Sequence, residues 1–533
     1  MQDRRFIVET LGLLACLTLA LGAAWSTVDS ATHSVIVQAE NVDDAASQVA
    51  AVGGRITHEL GIIDAVGARL TEAQRRRLAA RPGIRRLFTD RLVEVAGPTP
   101  QAQFPGLAGA EALHQEGLTG AGITVAVVDT GSWGAQNLLK TSTGQSRVLG
   151  TFNAITGVED DGLTDGSGHG SHVTSVIANS DVGAAGEFNS IAPDANLVVV
   201  KAFDELGQGT YLDVINGLDW ILSRRGTHGI KVANLSFSAP PASHYWDDPI
   251  NQAVMALWQS GIVVVASAGN GGPEPMTVGV PGNVPYVITV GAMSDAVSED
   301  PTDDFLASFS AAGPTAEGFV KPELVAPGGH LIGLIERHDY LPSTYPEYFD
   351  GKYFTMSGTS QSAAVVSGVV ALMMQREPWQ QPDVIKCRLV DTARPALTEE
   401  GELAYSVFQQ GAGAVNAYDA VYSEAWDCAN QGLNVNHDLA GRKHYGGYAN
   451  RDQDGNYYIE GTEGYLWGGG YLWGNGYLWG NGYLWGTGYL WGTGDLWSDG
   501  YLWGTSFPWW NEEPVWSNGL TEAMSTNGWV PQE

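Results

Sequence analysis

The stretch GTSQSAAVVSGVVALMM, Gly358 to Met374, sets a serine, Ser360, between a glycine–threonine pair and a run that is small or apolar on nearly every side. A helix without a polar face lies inside a protein. The segment, with Gly368 within it, is therefore read as a central buried helix that opens at Ser360. Outward from it, the short apolar runs TVAVVD, LVVVKA, KVANLSF, VVVASAG and YVITVGA alternate with the helical patterns HGSHVTSVIANS, YLDVINGLDWILSRR and PINQAVMALWQSG. Strands that are apolar throughout and separated by helices predict an α/β fold, a parallel sheet with helices on both faces.

In such a sheet, reactive groups gather at the carboxyl ends of the strands. Asp129 closes the first strand in VAVVDTG, His169 opens a helix in GHGSHV, and Ser360 opens the buried helix. A serine hydroxyl is a poor nucleophile until an imidazole takes its proton, and the imidazole needs a carboxylate to fix its tautomer and stabilise its cation. The oxyanion that forms on the attacked carbonyl needs preorganised donors. Asn270, just past the strand end in VVVASAGN, offers an amide, and the start of the Ser360 helix offers backbone N–H groups. Two other chemistries fit less well. A metal on His169 and His172 lacks further ligands at sensible spacing. A carboxylate dyad built on DTG needs a second DTG or DSG, and the chain contains neither.

Taken in chain order, AVVDTG, HGSHV, ASAGN and SGTSQSAA resemble the motif set of the subtilisin-like serine proteases over about Ala110 to Val421. The resemblance implies a secreted endopeptidase with Asp129 as orienting carboxylate, His169 as general base and acid, Ser360 as nucleophile and Asn270 as oxyanion donor. His172 would be a packing residue. The family usually reads Gly-Thr-Ser-Met-Ala-x-Pro at the nucleophile, so Gln361, Ser362 and Ala364 depart from it. The missing proline changes how the chain enters the helix, but no group of the proton transfer or the oxyanion site is lost. An inactive relative that kept the fold would be expected to lack one of the four residues, and all are present.

The same resemblance puts Gly207, Gln208 and Gly209 on one edge of a substrate cleft and Leu235, Ser236, Phe237 and Ser238 on the other, so that a polypeptide would lie as a strand between two strands. Ser238 and Ala239 stand where relatives carry glycines. Gly279, in MTVGVPG, matches the floor of the pocket for the residue on the acyl side of the cut bond. No carboxylate accompanies it, which implies a preference for apolar or aromatic residues. No cofactor is implied for the chemistry. Calcium is common in the family, but the loop from Asn179 to Asn189 differs in length from the usual site.

The 533 residues carry a net charge of −32 with only 16% charged residues, which argues against nucleic acid as a partner. Arg4 and Arg5 precede an apolar run from Leu11 to Ala24, a secretory signal pattern over residues 1–26, whose short span favours it over the alternative of an uncleaved membrane anchor. Neither a complete twin-arginine pattern nor a well-placed lipoprotein box at Cys16 is present. Removal of the signal leaves Cys387 and Cys428, either one disulfide or two buried thiols.

Residues 33–97 read strand, helix, strand, strand, helix, strand, a small α+β sandwich that resembles the family's propeptide, which would act as an intramolecular inhibitor until cleavage between Val95 and Phe104. An independent binding module is the alternative. An extended linker, 98–106, leads to the peptidase region, 107–425. Residues 426–463 read as a second linker, in which Asn450, Asp452, Asp454 and Asn456 alternate around Gly455 as in a calcium loop or an ordinary Asn/Asp turn. The unit GYLWGx then recurs from 464 to 505, before a tail, 506–533, and 11 of the 18 tryptophans lie beyond residue 460. Extended Tyr-Leu-Trp units would form an aromatic ladder suited to a polymer or cell-surface ligand, or the region is a ligand-free glycine-rich tail. This region motivates a rival reading, a surface-binding protein whose protease serves its own maturation.

Overall fold

The structure is a computed structural model that describes residues 32–89, 99–159, 163–294, 304–398, 401–452, 455–459, 523–526 and 530. The expected signal segment and the GYLWGx repeats lie outside the described residues. The chain divides into two compact units, residues 1–96 and 97–533.

The first unit runs β1 (Thr32–Gln38), α1 (Val42–Ala51), β2 (Arg55–Leu60), β3 (Ala65–Thr71), α2 (Glu72–Ala79) and β4 (Arg86–Thr89). Its strands are antiparallel in the order β2-β3-β1-β4. Both helices start where a side chain satisfies an otherwise unpaired N–H. The Asn41 carbonyl accepts from Asp44 N, and Thr71 and Gln74 cap each other reciprocally. Alternation turns Val35 and Val37 of β1 inward against Val66, Ala68 and Leu70 of β3, with Val49 and Leu78 from the helices. The run IIDAVGARL is not strand throughout. Gly61–Ile63 forms a tight turn, Asp64 takes a left-handed φ of 53°, and the strand begins at Ala65, because the chain must reverse between two antiparallel partners.

The second unit holds a nine-stranded sheet. The unit includes β5 (Thr124–Asp129), β6 (Val148–Asn153), α3 (His169–Ala178), β7 (Asn196–Lys201), β8 (Gln208–Thr210), α4 (Tyr211–His228), β9 (Ile230–Leu235), β10 (Phe237–Ser238), α5 (Pro249–Gln259), β11 (Val263–Ser267), β12 (Ile288–Ser294), β13 (Leu324–Pro327), α6 (Thr359–Arg376) and β14 (Ala523–Thr526). Strands β13-β12-β11-β9-β5-β7-β6 run parallel in that order. Val158–Glu159 and Phe305–Leu306 pair antiparallel with β6 and β12, so the sheet is mixed at its margins. Two helix pairs, α3 with α6 and α4 with α5, cover it.

Every residue of α6 from Thr359 to Met374 is buried, as its apolar circumference requires. Each buried valine, leucine or methionine there contributes about 1.5–3 kcal/mol. Gly368 is required by contact: a Cβ at that position would lie 2.5 Å from Ile191 Cβ.

Two segments read as linkers are packed. Phe104–Leu107 forms a helical turn, with Phe104 and Pro105 buried. Beyond residue 426, Tyr445, Tyr448, Ala449 and Ile459 join the main core. The buried Asp438 there accepts from Tyr245 Oη at 2.6 Å and Tyr286 Oη at 3.0 Å and pairs with His444 Nδ1 at 2.7 Å. Many asparagines and glycines conceal such a segment in the sequence, because its anchors are widely spaced aromatics rather than a periodic face. Cys387 and Cys428 form a disulfide with Cα atoms 5.1 Å apart.

The candidate calcium loop is a hairpin between Ala449–Arg451 and Tyr457–Ile459. Asp452 closes it by accepting from Asn456 N at 2.7 Å and Asn456 Nδ2 at 3.0 Å, and Asn450 Oδ1 accepts from Arg451 N at 2.8 Å. Asp454, another of the candidate ligands, lies outside the described residues. Among the described residues no group of three or more His, Cys, Asp or Glu is placed to hold a metal ion, and no helix is long and apolar enough to cross a membrane.

Candidate active site

Because β5, β9 and β11 are parallel neighbours, their carboxyl ends open on one edge of the sheet. β5 delivers Asp129 there, and α3 delivers His169 as its first residue. The two are held together by a glycine. A Cβ on Gly170 would come within 2.2 Å of the Gly131 carbonyl, so only glycine lets the helix start approach the turn after β5 this closely. Asp165 ties the same junction. Its Oδ1 accepts from Ser167 N, Gly168 N and Thr130 Oγ1, and its Oδ2 accepts from Ser171 N and Oγ.

His169 Nδ1 lies 2.7 Å from Asp129 Oδ1, and Thr130 N donates to that oxygen at 2.8 Å. A carboxylate facing Nδ1 favours the proton there, leaving Nε2 as the basic nitrogen. Burial pulls the His169 pKa down, but the negative Asp129 that it hydrogen-bonds and Asp165 behind it outweigh burial, and the net shift is upward.

Ser360 occupies the first turn of α6. Its Oγ donates to Ser236 O at 3.0 Å, while Ser236 Oγ donates to Ser360 O at 2.9 Å. Asn234 Nδ2 donates to Ser236 Oγ, and Ser367 Oγ to Asn234 Oδ1, both at 2.8 Å, so the residue after β9 is locked to the start of α6. Asn270 has its amide orientation set from behind: Oδ1 accepts from Thr359 N at 3.0 Å and Thr359 Oγ1 at 2.9 Å. With its oxygen so engaged, Nδ2 is turned the other way, and His169, Asn270 and Ser360 line one cavity.

Gln361 also lines that cavity. It is buried, and its Nε2 has no hydrogen-bond partner among the described residues. The sequence marked this position only as a departure from the family pattern. The signal that could have found it is a long polar side chain at the start of an otherwise apolar helix. His172 faces away: with two carbonyls, Leu331 O at 3.1 Å and Phe354 O at 3.0 Å, as its Nε2 partners, the ring is a donor, and burial pushes its pKa down to about 4.

The residues expected to flank a substrate are placed in two ways. Gln208 and Gly209 lie in β8, Phe237 and Ser238 in β10, and the two strands form a three-stranded sheet with β14 between them. The Leu235 and Phe237 side chains, by contrast, are buried in the main core, so this edge can offer a peptide its backbone but not those side chains. Gly207 lies beside the β8 edge, and its carbonyl accepts from Thr526 N at 2.8 Å. Gly279 backs β10 closely: a Cβ there would come 2.7 Å from Ala239 O and 3.1 Å from Ser238 Cβ.

Residues 120–413 match the sequence model of the subtilase family, Peptidase S8. The chain is 36% identical over 310 residues to the serine protease AprX of Bacillus subtilis, an alignment covering 57% of this chain and 67% of that one. It is 31% identical over 350 residues to subtilisin E of the same species, covering 64% and 78%. Among solved structures, fervidolysin from Fervidobacterium pennivorans, a keratinolytic enzyme related to subtilisin, aligns with a TM-score of 0.45 and 24% identity over 74% of this chain and 61% of that one. With its family model spanning more than half of its length, the chain belongs to the subtilase family and is a subtilisin-like serine endopeptidase.

Proposed function

We propose that this subtilase is a secreted endopeptidase, made as a zymogen, that cuts polypeptides with Ser360 as nucleophile, His169 as base and acid, Asp129 as orienting carboxylate and Asn270 as oxyanion donor. The observation that carries the reading is the 2.7 Å His169–Asp129 pair in a cavity shared with Ser360 and Asn270. The Ser360 Oγ–His169 Nε2 hydrogen bond is expected to tighten once substrate is bound. Oγ attacks the scissile carbonyl as its proton passes to Nε2. Asn270 Nδ2 and backbone N–H at the start of α6 meet the oxyanion, whose stabilisation is worth about 2.7–4 kcal/mol per donor. The imidazolium then protonates the leaving amine, and water, deprotonated by the same nitrogen, releases the acid and restores Ser360.

Residues 33–97 serve as propeptide in this proposal, which their element order and their place before the peptidase region support. The Arg4-Arg5 pair followed by an apolar run supports export. Gly279 without a neighbouring carboxylate in its motif supports preference for apolar or aromatic residues on the acyl side. A fluorophosphonate probe tests the core of the proposal. It is expected to label processed wild-type protein at Ser360 and to leave Ser360→Ala unlabelled; folded, processed wild type that takes no label overturns it.

A further inference from the structure

The cleft edges are already occupied by another part of the same chain. β14, Ala523–Thr526, lies antiparallel to both, with Ala523, Met524 and Ser525 opposite Thr210, Gly209 and Gln208 on one side and Ser525 and Thr526 opposite Ser238 and Phe237 on the other. Thr526 N donates to Gly207 O at 2.8 Å, and Thr526 is 8% exposed. The fit is specific to glycine at 207, which has a φ of 73° and where a Cβ would lie 2.3 Å from Thr526 Oγ1. Thr526 lines the same cavity as His169, Ser360 and Asn270, so the strand ends at the reactive groups. Val530 gives a second anchor, buried against Ala292, Ala307 and Phe309. The three residues between lie outside the described residues.

We infer that the carboxyl-terminal segment around Ala523–Thr526 is a built-in peptide ligand of the protease cleft, bound as a strand in the place a polypeptide substrate must take. The inference rests on the proposed proteolytic role of this site. Strand addition pairs the tail's backbone with the edges of β8 and β10, and it can do so for any extended peptide. The tail and a substrate therefore exclude each other, and a tethered competitor acts at an effective concentration set by its tether. Occupancy by the tail multiplies the apparent affinity for substrate by the open fraction, and so raises KM by its inverse, while leaving the chemistry of bound substrate unchanged.

Thr526→Pro in the full-length chain tests this, because proline lacks the N–H that reaches Gly207 O. Kinetics on a fluorogenic tetrapeptide amide, with active sites counted by fluorophosphonate labelling of Ser360, are expected to show a lower KM at unchanged kcat, about tenfold lower if the wild-type cleft is open a tenth of the time. Thr526→Ala keeps the N–H and is expected to lower KM less than Thr526→Pro does. A synthetic peptide of residues 521–533 is expected to raise the KM of Thr526→Pro without altering kcat. Equal KM values for wild type and Thr526→Pro, with both fully labelled, overturn this inference alone. Failure of either to label at Ser360 overturns the proteolytic reading and this inference with it.

Discussion

Gly170→Ala tests how closely the general base must be held. The added Cβ would lie 2.2 Å from Gly131 O and 3.1 Å from both Gly131 N and Thr130 Oγ1. Backbone, not a flexible side chain, is the obstacle. The start of α3 and the turn after β5 must part by at least about 0.8 Å to reach 3.0 Å, below which Cβ contacts are essentially never seen. His169 and Asp129 stand on opposite sides of that gap, and their 2.7 Å bond would stretch to or past the limit of a hydrogen bond. A displacement near 1 Å at a catalytic group costs on the order of a hundredfold in rate, and overpacking of this kind costs about 1–3 kcal/mol in stability. The expected result is a kcat about a hundredfold below wild type per active site, with KM little changed, since Gly170 does not line the cavity. Urea unfolding in a Ser360→Ala background, where autolysis cannot interfere, measures the stability part. A kcat within threefold of wild type per labelled site would refute the reasoning. So would a loss of activity fully explained by a loss of folded protein.

Three further outcomes follow from the same geometry. Asn270→Leu removes the amide donor and is expected to lower kcat at least about a hundredfold while moving KM little; steady-state kinetics showing a loss in KM alone would assign Asn270 to binding instead. Because burial is outweighed by Asp129 and Asp165, the acid limb of kcat/KM against pH is expected to lie above the ordinary histidine value of about 6.5. Asp165→Asn, which removes one of the two charges, should move that limb down, and an unmoved midpoint speaks against the electrostatic account. His172, depressed to about 4 by burial, contributes stability that is complete above about pH 6.5 and is lost as pH falls towards 4, because only the unfolded chain readily takes the proton. That loss is about 3 kcal/mol at most; urea midpoints of Ser360→Ala that do not fall between pH 7 and pH 4.5 would contradict it.

The parts whose signal is local were legible from the residues alone. Apolar strands ending at Asp129 and Leu235, a helix that cannot expose any face, and four short motifs in a fixed order all show in windows of a few residues, since burial on both faces and the chemistry of each group restrict residue type at each place. Other features depend on partners far apart in the chain. Asp165 looks like one acid in a loop until it meets Thr130 and Ser171, and Gln361 looks like a lapse from a pattern until its amide faces the cavity. Leu235 and Phe237 sit in a motif associated with a cleft, yet their side chains turn into the core because alternate residues of a strand point to opposite faces. Thr526 lies 319 residues from Gly207, in the tetrapeptide Ala-Met-Ser-Thr, which has neither periodicity nor hydrophobicity enough to announce a strand. Such a segment becomes one only between two strand edges that can pair with it, and the fold alone brings those edges together.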